Sequence, residues 1–579
     1  MLSILIILPL LAAMFVLLIP SDKWKYYKYV NSLSACVQLI ITLVLWANYQ
    51  TGAGSAAGIH SDFQFQEKMD WINIGLGNLG HVKIEYFLAL DGLSLPMVIL
   101  TGLVLLIGAI ASWNIKENAK GYFALYLLLS STIMGCFMAL DFFLFYLFFE
   151  LMLLPMYFLI GLWGGPGREY ASIKFLLYTL FGSLFILIVM IGLFFSVIDP
   201  EATAIMAGIA EDSGNIGWEA VGEVQRLLAL DAIAPSQIVH SFNMVNMMDT
   251  RNYIPGSILS VMSGWEFWGL SPRLVCFMAL FIGFAIKLPA VPVHTWLPDA
   301  HVEAPTPVSV ILAGILLKIG SYGILRTAYS IFPEGGIYFA WFIGFIGVLS
   351  IIYGAFNALA MRDLKRMIAY SSISHMGFVL LGMASLTIEG INGSIFQMFS
   401  HGILSSLLFV IAGVLYDRTS DRMIDSYRGL ASKMPLYTTV VTVAFFASLG
   451  LPGFSGFIGE LFVLLGSFKS PSENLLLPYW MTIVASLGII IGAAYYLWAL
   501  QRMFFGKLWT KGGDLWYNKL KDLDAREILM TAPLIILALV FGLFPGLIFD
   551  LMSASTAKFI DLIIVRGSEN LEVIREYQN

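Results

Sequence analysis

Six ionisable side chains stand inside or beside apolar runs of this 579-residue chain, and the chemistry they share is proton transfer. Lys287 lies in Phe277-Met-Ala-Leu-Phe-Ile-Gly-Phe-Ala-Ile-Lys287-Leu-Pro289-Ala-Val-Pro292. Glu150 lies in Phe148-Phe-Glu150-Leu-Met-Leu-Leu-Pro155, and Lys318 in Ala313-Gly-Ile-Leu-Leu-Lys318-Ile-Gly320. Glu460 follows Gly453-Phe-Ser-Gly-Phe-Ile-Gly459, while His375 and His401 sit in Ser371-Ser-Ile-Ser-His375-Met-Gly and Gln397-Met-Phe-Ser-His401-Gly. A lysine within hydrocarbon costs about 3 kcal/mol by insertion scales, so a chain that keeps several has a use for them. Pro289 and Pro292 remove backbone donors directly after Lys287 and should break the helix where the charge lies. A titratable group at a helix break in the membrane is the layout of an ion pathway.

Blander readings explain less. Mutual neutralisation of Glu150 and Lys287 would lock helices together, but it needs no adjacent break. At 1.5 Å per residue Glu150 is about 13 Å deep and Lys318 is close to mid-bilayer, too far for its side chain to snorkel to water. Histidines on helices are often satisfied core residues, and His375 and His401 gain weight only beside the charged helices. Asp299 and Glu303 are expected to brace a break between spans seven and eight. Asp363, Lys365 and Arg366 read as a cytoplasmic loop cluster, and Lys174 at the start of span six reads as snorkelling.

Composition says what must hold these groups. The chain is 59% hydrophobic and 12% charged, about half the roughly 25% charge of a soluble domain. Its apolar residues fall in blocks of about 20, each long enough to cross about 30 Å of hydrocarbon. The net charge of −6 is spread along loops and implies no nucleic-acid partner. Cys36, Cys136 and Cys276 have no CxxC spacing, so cysteine offers neither an iron–sulfur nor a structural zinc site. No glycine-rich nucleotide motif follows a strand. The first segment lacks a positive n-region and a cleavage site, and reads as a retained span rather than a signal peptide.

The chain therefore reads as an all-α polytopic membrane protein, one integral domain over 1–579. Fourteen spans are expected near 2–20, 28–48, 86–112, 121–140, 142–163, 172–198, 275–293, 306–329, 337–361, 366–386, 395–416, 435–468, 478–502 and 528–550. The twelfth is too long for one straight helix and contains Gly450-Leu-Pro452-Gly453, so it too should be broken. Lys and Arg gather in alternate loops, at Lys23–Lys28, Lys116–Lys120, Arg168, Arg362–Arg366, Arg418–Lys433 and Lys507–Arg526. The positive-inside rule puts those loops in the cytoplasm and both termini outside. The 199–274 segment, on the outer face, mixes acids with short apolar stretches and is expected to be partly helical.

Phe284-Ala-Ile-Lys-Leu-Pro-Ala-Val-Pro-Val-His-Thr-Trp-Leu-Pro-Asp-Ala-His301-Val-Glu-Ala-Pro resembles the signature of the antiporter-like membrane subunits of respiratory complex I. Ala313-Gly-Ile-Leu-Leu-Lys318, Asp363-Leu-Lys-Arg-Met-Ile-Ala-Tyr-Ser-Ser-Ile-Ser-His375, Gly450-Leu-Pro-Gly-Phe and Asp91-Gly-Leu-Ser-Leu are similar to the same family, over residues 85 to 550. Glutamate at 460, where related branches carry lysine, resembles the central, M-type branch. The 199–274 insertion is longer than that branch's pattern, and no long lateral helix is expected beyond span fourteen. The resemblance implies two inverted five-helix repeats, spans 4–8 (121–329) and 9–13 (337–502), with broken helices seven and twelve. It implies a proton relay through Glu150, Lys287, Lys318, His375, His401 and Glu460 in a subunit of a proton-pumping NADH:quinone oxidoreductase in a bacterial inner membrane. It places FMN, iron–sulfur clusters and quinone in partner subunits, none in this chain, with L-like and N-like antiporter-type neighbours in the bilayer. Two other readings share these residues: a cation/proton antiporter subunit, and the membrane subunit of a hydrogenase- or ferredoxin-linked complex.

Overall fold

A computed structural model of the chain describes residues 1–51, 63–77, 80–211 and 217–578. Among them, eleven helices are long and apolar enough to cross a membrane, and two shorter apolar helices, Leu2–Leu18 and Pro435–Ser448, accompany them. The architecture is mostly helical. Burial sorts the helices by position: the apolar windows of Thr306–Tyr329 and Ile388–Thr419 are 100% buried, against 33% for Lys25–Asn48 and Tyr479–Phe504. The two enclosed helices carry Lys318 and His401, so those side chains are kept from lipid by the rest of the chain.

The helix Pro272–Lys287 stops at Lys287, and helix resumes only at Trp296. Pro435–Ser448 is likewise separated from Ser455–Glu473. The backbone between them turns through Gly450 and Gly453 at φ +80° and +101°, a left-handed conformation that only glycine adopts at little cost. The expected span 142–163 is present as Phe142–Trp163 but is interrupted at Met152, near Pro155.

Two expectations are corrected. The fold is not all-α, because Gln64–Gly75 (β1) and His81–Leu90 (β2) pair as an antiparallel hairpin. Val239–Ser241 (β3) adds to β2 in parallel, and a second, two-stranded sheet pairs Tyr427–Arg428 with Trp509–Thr510. The third span accordingly starts at Leu95, behind Pro96, instead of near 86. Lys68, Asp70, Lys83 and Glu85 are too dense for hydrocarbon, and this hairpin is an extramembrane element. Burial disfavours the Lys83 ammonium, but Asp199 and Glu85 outweigh that and hold its pKa above the ordinary lysine range. The Lys83–Asp199 contact, 3.2 Å, ties the hairpin to the 199–274 segment, where Val224, Leu228 and Ile238 form a small core with Ile198.

The second correction concerns the end of the chain. Span fourteen, expected to run to about 550, closes at Leu543, before Pro545, and a 33-residue helix, Gly546–Gln578, follows that the reading of apolar blocks did not contain. Its Ile548, Met552, Phe559, Ile560 and Ile563 are buried while Asp561, Arg566 and Glu569 interrupt the sequence, so average hydropathy misses an amphipathic element. It folds back along its own chain. Ser555 accepts from the Gly92 amide (3.1 Å), Arg566 donates to the Met248 carbonyl (3.2 Å), and Asn570 donates to Glu334 (3.0 Å).

Two buried ion pairs strap the far end of the Lys318 helix: Arg326 to Asp91 and Arg273 to Glu334, each 2.6 Å. Removing one partner of such a pair strands the other charge, at a cost of about 3–5 kcal/mol. Asp91→Ala should therefore lower the thermal midpoint and yield of the assembled protein in detergent. An unchanged melting curve would contradict a strapping role.

Candidate functional site

Lys287 is the last residue of its helix and is 1% exposed. Its ammonium lies 3.3 Å from the centre of the Phe149 ring, 3.4 Å from the Phe149 carbonyl and 3.6 Å from Met152 Sδ. These groups belong to the interrupted helix pair that carries Glu150. Yet Glu150 forms no ion pair with Lys287 among the described residues, and its Oε1 lacks a hydrogen-bond partner. The half-buried carboxyl group lies at the flank of the chain, beside exposed Leu151 and Leu154. An aromatic face holds the ammonium (cation–π attraction is worth about 2 kcal/mol when desolvated), leaving the neighbouring carboxylate one helical step away.

Lys318 is fully enclosed. Its helix is wound as π-helix over Leu312–Leu316, ending two residues before the lysine, a variant that concentrates at functional positions. The Ala313 carbonyl in that segment accepts from Nζ at 2.5 Å, and His401 Nδ1 lies 2.7 Å from the same nitrogen. The His401 and His375 rings are 5.4 Å apart, centre to centre, and His375 Nδ1 is 3.0 Å from Glu460 Oε1. A cavity of about 10 Å³, bordered by both histidines, Gln397, Ser400 and Ser371, has room for about one water between the rings. Four of the six residues expected from sequence thus stand in one line, Lys318–His401–His375–Glu460. The break before Glu460 passes close to its carboxylate, and a Cβ at Gly450 would stand 2.9 Å from Glu460 Oε2.

The two lysine-bearing helices touch. A Cβ on Gly320 would meet the Leu288 amide at 2.6 Å, so only glycine lets the Lys318 helix press against the end of the Lys287 helix. Lys318 Nζ is directed instead at His401. The structure therefore presents two groups, Glu150 with Lys287 and the four-membered line, joined where their lysine-bearing helices touch.

Two assignments from sequence change. Lys174 does not snorkel: it pairs with Asp299 at 2.7 Å, and Arg366 reaches the same carboxylate at 3.4 Å. Lys365 is no loop residue, being 3% exposed with Nζ donating to the Ala304 carbonyl at 3.0 Å. The missed signal was its place in the first turn of the apolar helix Leu364–Ser385. Glu303 braces the break as expected, its carbonyl accepting from Gly165 and its carboxylate from Gly167, both at 2.8 Å.

Enclosed acids, amines and imidazoles beside interrupted helices mark a polytopic membrane protein of the transporter class. Residues 139–215 and 230–493 match the family described as NADH:quinone oxidoreductase/Mrp antiporter, transmembrane, and the chain belongs to that family. NADH-quinone oxidoreductase subunit M of Rickettsia bellii is 37% identical over 96% of this chain and 98% of its own length. Its namesake in Rhodobacter capsulatus is 34% identical over 97% and 96%. NADH-ubiquinone oxidoreductase chain 4 of Chondrus crispus is 36% identical over 96% of both chains. A chain of respiratory complex I from Thermus thermophilus superposes with TM-score 0.73 at 27% identity, covering 97% of this chain and all of the other. A chain of the Mrp complex from Dietzia sp. shares the fold, with TM-score 0.70 at 19% identity and coverage of 100% and 99%.

Proposed function

We propose that this chain is the M-type, proton-translocating membrane subunit of a complex I-type NADH:quinone oxidoreductase. The observation that carries the reading is the enclosed line Lys318–His401–His375–Glu460, on helices shielded from lipid. Protons move along it by exchange at named atoms. Neutral Lys318 takes a proton at Nζ and gives it to His401 Nδ1, and His401 releases a proton from Nε2 through one water to the His375 ring. Glu460 accepts it at Oε1 and releases it towards the outer face. Glu150 and Lys287 form the control element: a charge change in the neighbouring subunit draws Glu150 towards or away from Lys287, whose ammonium rests on Phe149 when uncompensated. Moving that charge raises or lowers the cost of a proton on Lys318 in the adjoining helix.

In this reading fourteen spans form two inverted repeats, 121–329 and 337–502, with both termini on the outer side of a bacterial inner membrane. L-like and N-like subunits flank the chain, and FMN, iron–sulfur clusters and quinone belong to other subunits of the assembly. Glutamate at 460 favours this over a stand-alone cation/proton antiporter. Purification of the tagged chain should bring down an NADH-oxidising, quinone-reducing assembly that acidifies proteoliposomes without added sodium. Recovery of a sodium-dependent exchanger, or of a complex fed by hydrogen or ferredoxin, would replace the proposal by one of those alternatives.

A further inference from the structure

Gln397 stands beside the last step of the line. It is 2% exposed and lies one turn before His401 on helix Ile388–Thr419, on the same face. Its Nε2 is 3.4 Å from His375 Nδ1, the nitrogen that also lies 3.0 Å from Glu460 Oε1. Its Oε1 is buried and has no hydrogen-bond partner among the described residues. A Cβ at Gly459, the residue before Glu460, would overlap that oxygen, so the Glu460 helix leaves a glycine-sized gap for this amide. A half-satisfied buried amide is a poor way to hold helices together, because its orphaned acceptor loses its water and gains nothing. Methionine would fill the same space without that loss.

The contact at His375 Nδ1 supplies the reason. A carboxylate only accepts, a protonated carboxyl group can donate, and an amide N–H always donates. Nδ1 must therefore carry a proton to bond the Glu460 carboxylate, and must be bare to accept from Gln397. During the handover the Nδ1–H bond breaks and an Oε1–H bond forms, and bare Nδ1 then accepts from the new hydroxyl. Release of that proton towards the outer face would leave the Nδ1 lone pair facing a carboxylate oxygen 3.0 Å away, inside an enclosed site. Gln397 Nε2 supplies the missing donor.

We propose that Gln397 is a positioning residue for the final handover: by donating to bare His375 Nδ1, it lets Glu460 part with its proton outward instead of returning it to the ring. Gln397 itself exchanges no proton. The inference rests on Lys318–His401–His375–Glu460 being the proton path, as proposed above.

The test uses the intact assembly in proteoliposomes and reads coupled proton movement. Gln397→Met keeps the packing and removes the N–H donor, and is expected to lower pumping about tenfold, the order of one buried hydrogen-bond donor lost. Gln397→Asn leaves a larger void but keeps an amide, and the adjoining cavity of about 10 Å³ has room for a water to bridge to Nδ1. A packing role ranks methionine above asparagine, whereas a donor role ranks asparagine above methionine. The second readout is the infrared band of protonated Glu460, identified by its absence in Glu460→Gln. That band should weaken in both Gln397 variants, because the proton stays on His375, and it decides the matter from Gln397→Asn alone if Gln397→Met fails to assemble. Lys318→Met is run in parallel. If it stops pumping while Gln397→Met pumps like the parent, outperforms Gln397→Asn or leaves the Glu460 band unchanged, the role of Gln397 is wrong and the relay stands. If Lys318→Met itself pumps normally, the proposed function fails first.

Discussion

Lys318→Met, assembled in its complex, is expected to lose nearly all coupled proton movement and to slow NADH-driven quinone reduction about tenfold or more. Lys318 is the only member of the line with a side-chain contact to His401 and a carbonyl contact inside the π-helical turn. Methionine fills its volume, so the enclosed helix should pack as before and the loss should be chemical. Lys318→His, which keeps a titratable nitrogen, should retain a measurable fraction. Comparable pumping by Lys318→Met and the parent would remove the line's first donor and the mechanism with it. Both variants are read by uncoupler-sensitive acidification at matched complex content.

The second large effect is expected at Lys287. Its alanine variant takes away the charge that answers Glu150 and leaves the Phe149 ring and Met152 facing a gap. Pumping should fall several-fold or more, and Glu150→Ala should produce a loss of the same order, because both changes silence one control element. Lys287→Arg is informative in a different way. It keeps the charge over the aromatic face, where guanidinium also binds well, but holds its proton permanently. Retained coupling in Lys287→Arg would mean that Lys287 acts as a mobile charge and gives up no proton. Near-normal pumping in both Lys287→Ala and Glu150→Ala would falsify the control role.

Much of this arrangement could be read from residues alone, for a physical reason. A charge in hydrocarbon is so costly that Lys287, Lys318, Glu150 and Glu460 announce themselves, and Pro289, Pro292 and Pro452 show where helices must stop. What stayed hidden depends on long-range packing. Nothing local in Leu312–Leu316 distinguishes a π turn from an α turn, and the choice of His401 as Lys318's partner joins residues 83 positions apart. Lys365 was misplaced because a cation beside Asp363 and Arg366 looks like a loop, although its helix had already begun. The β1–β2 hairpin was absorbed into a span because Tyr86–Leu90 is apolar, and Gly546–Gln578 was overlooked because its charges dilute its average hydropathy.

The most direct test asks whether Lys318 and Glu460 act in series. Protons per electron are measured for Lys318→Met, Glu460→Gln and the double variant, each in assembled complex in the same proteoliposomes. Groups on one path are strongly non-additive, so the double variant should pump no worse than the more impaired single variant. Losses that multiply in the double variant would mean two independent paths, and would contradict passage of protons from Lys318 through the histidines to Glu460.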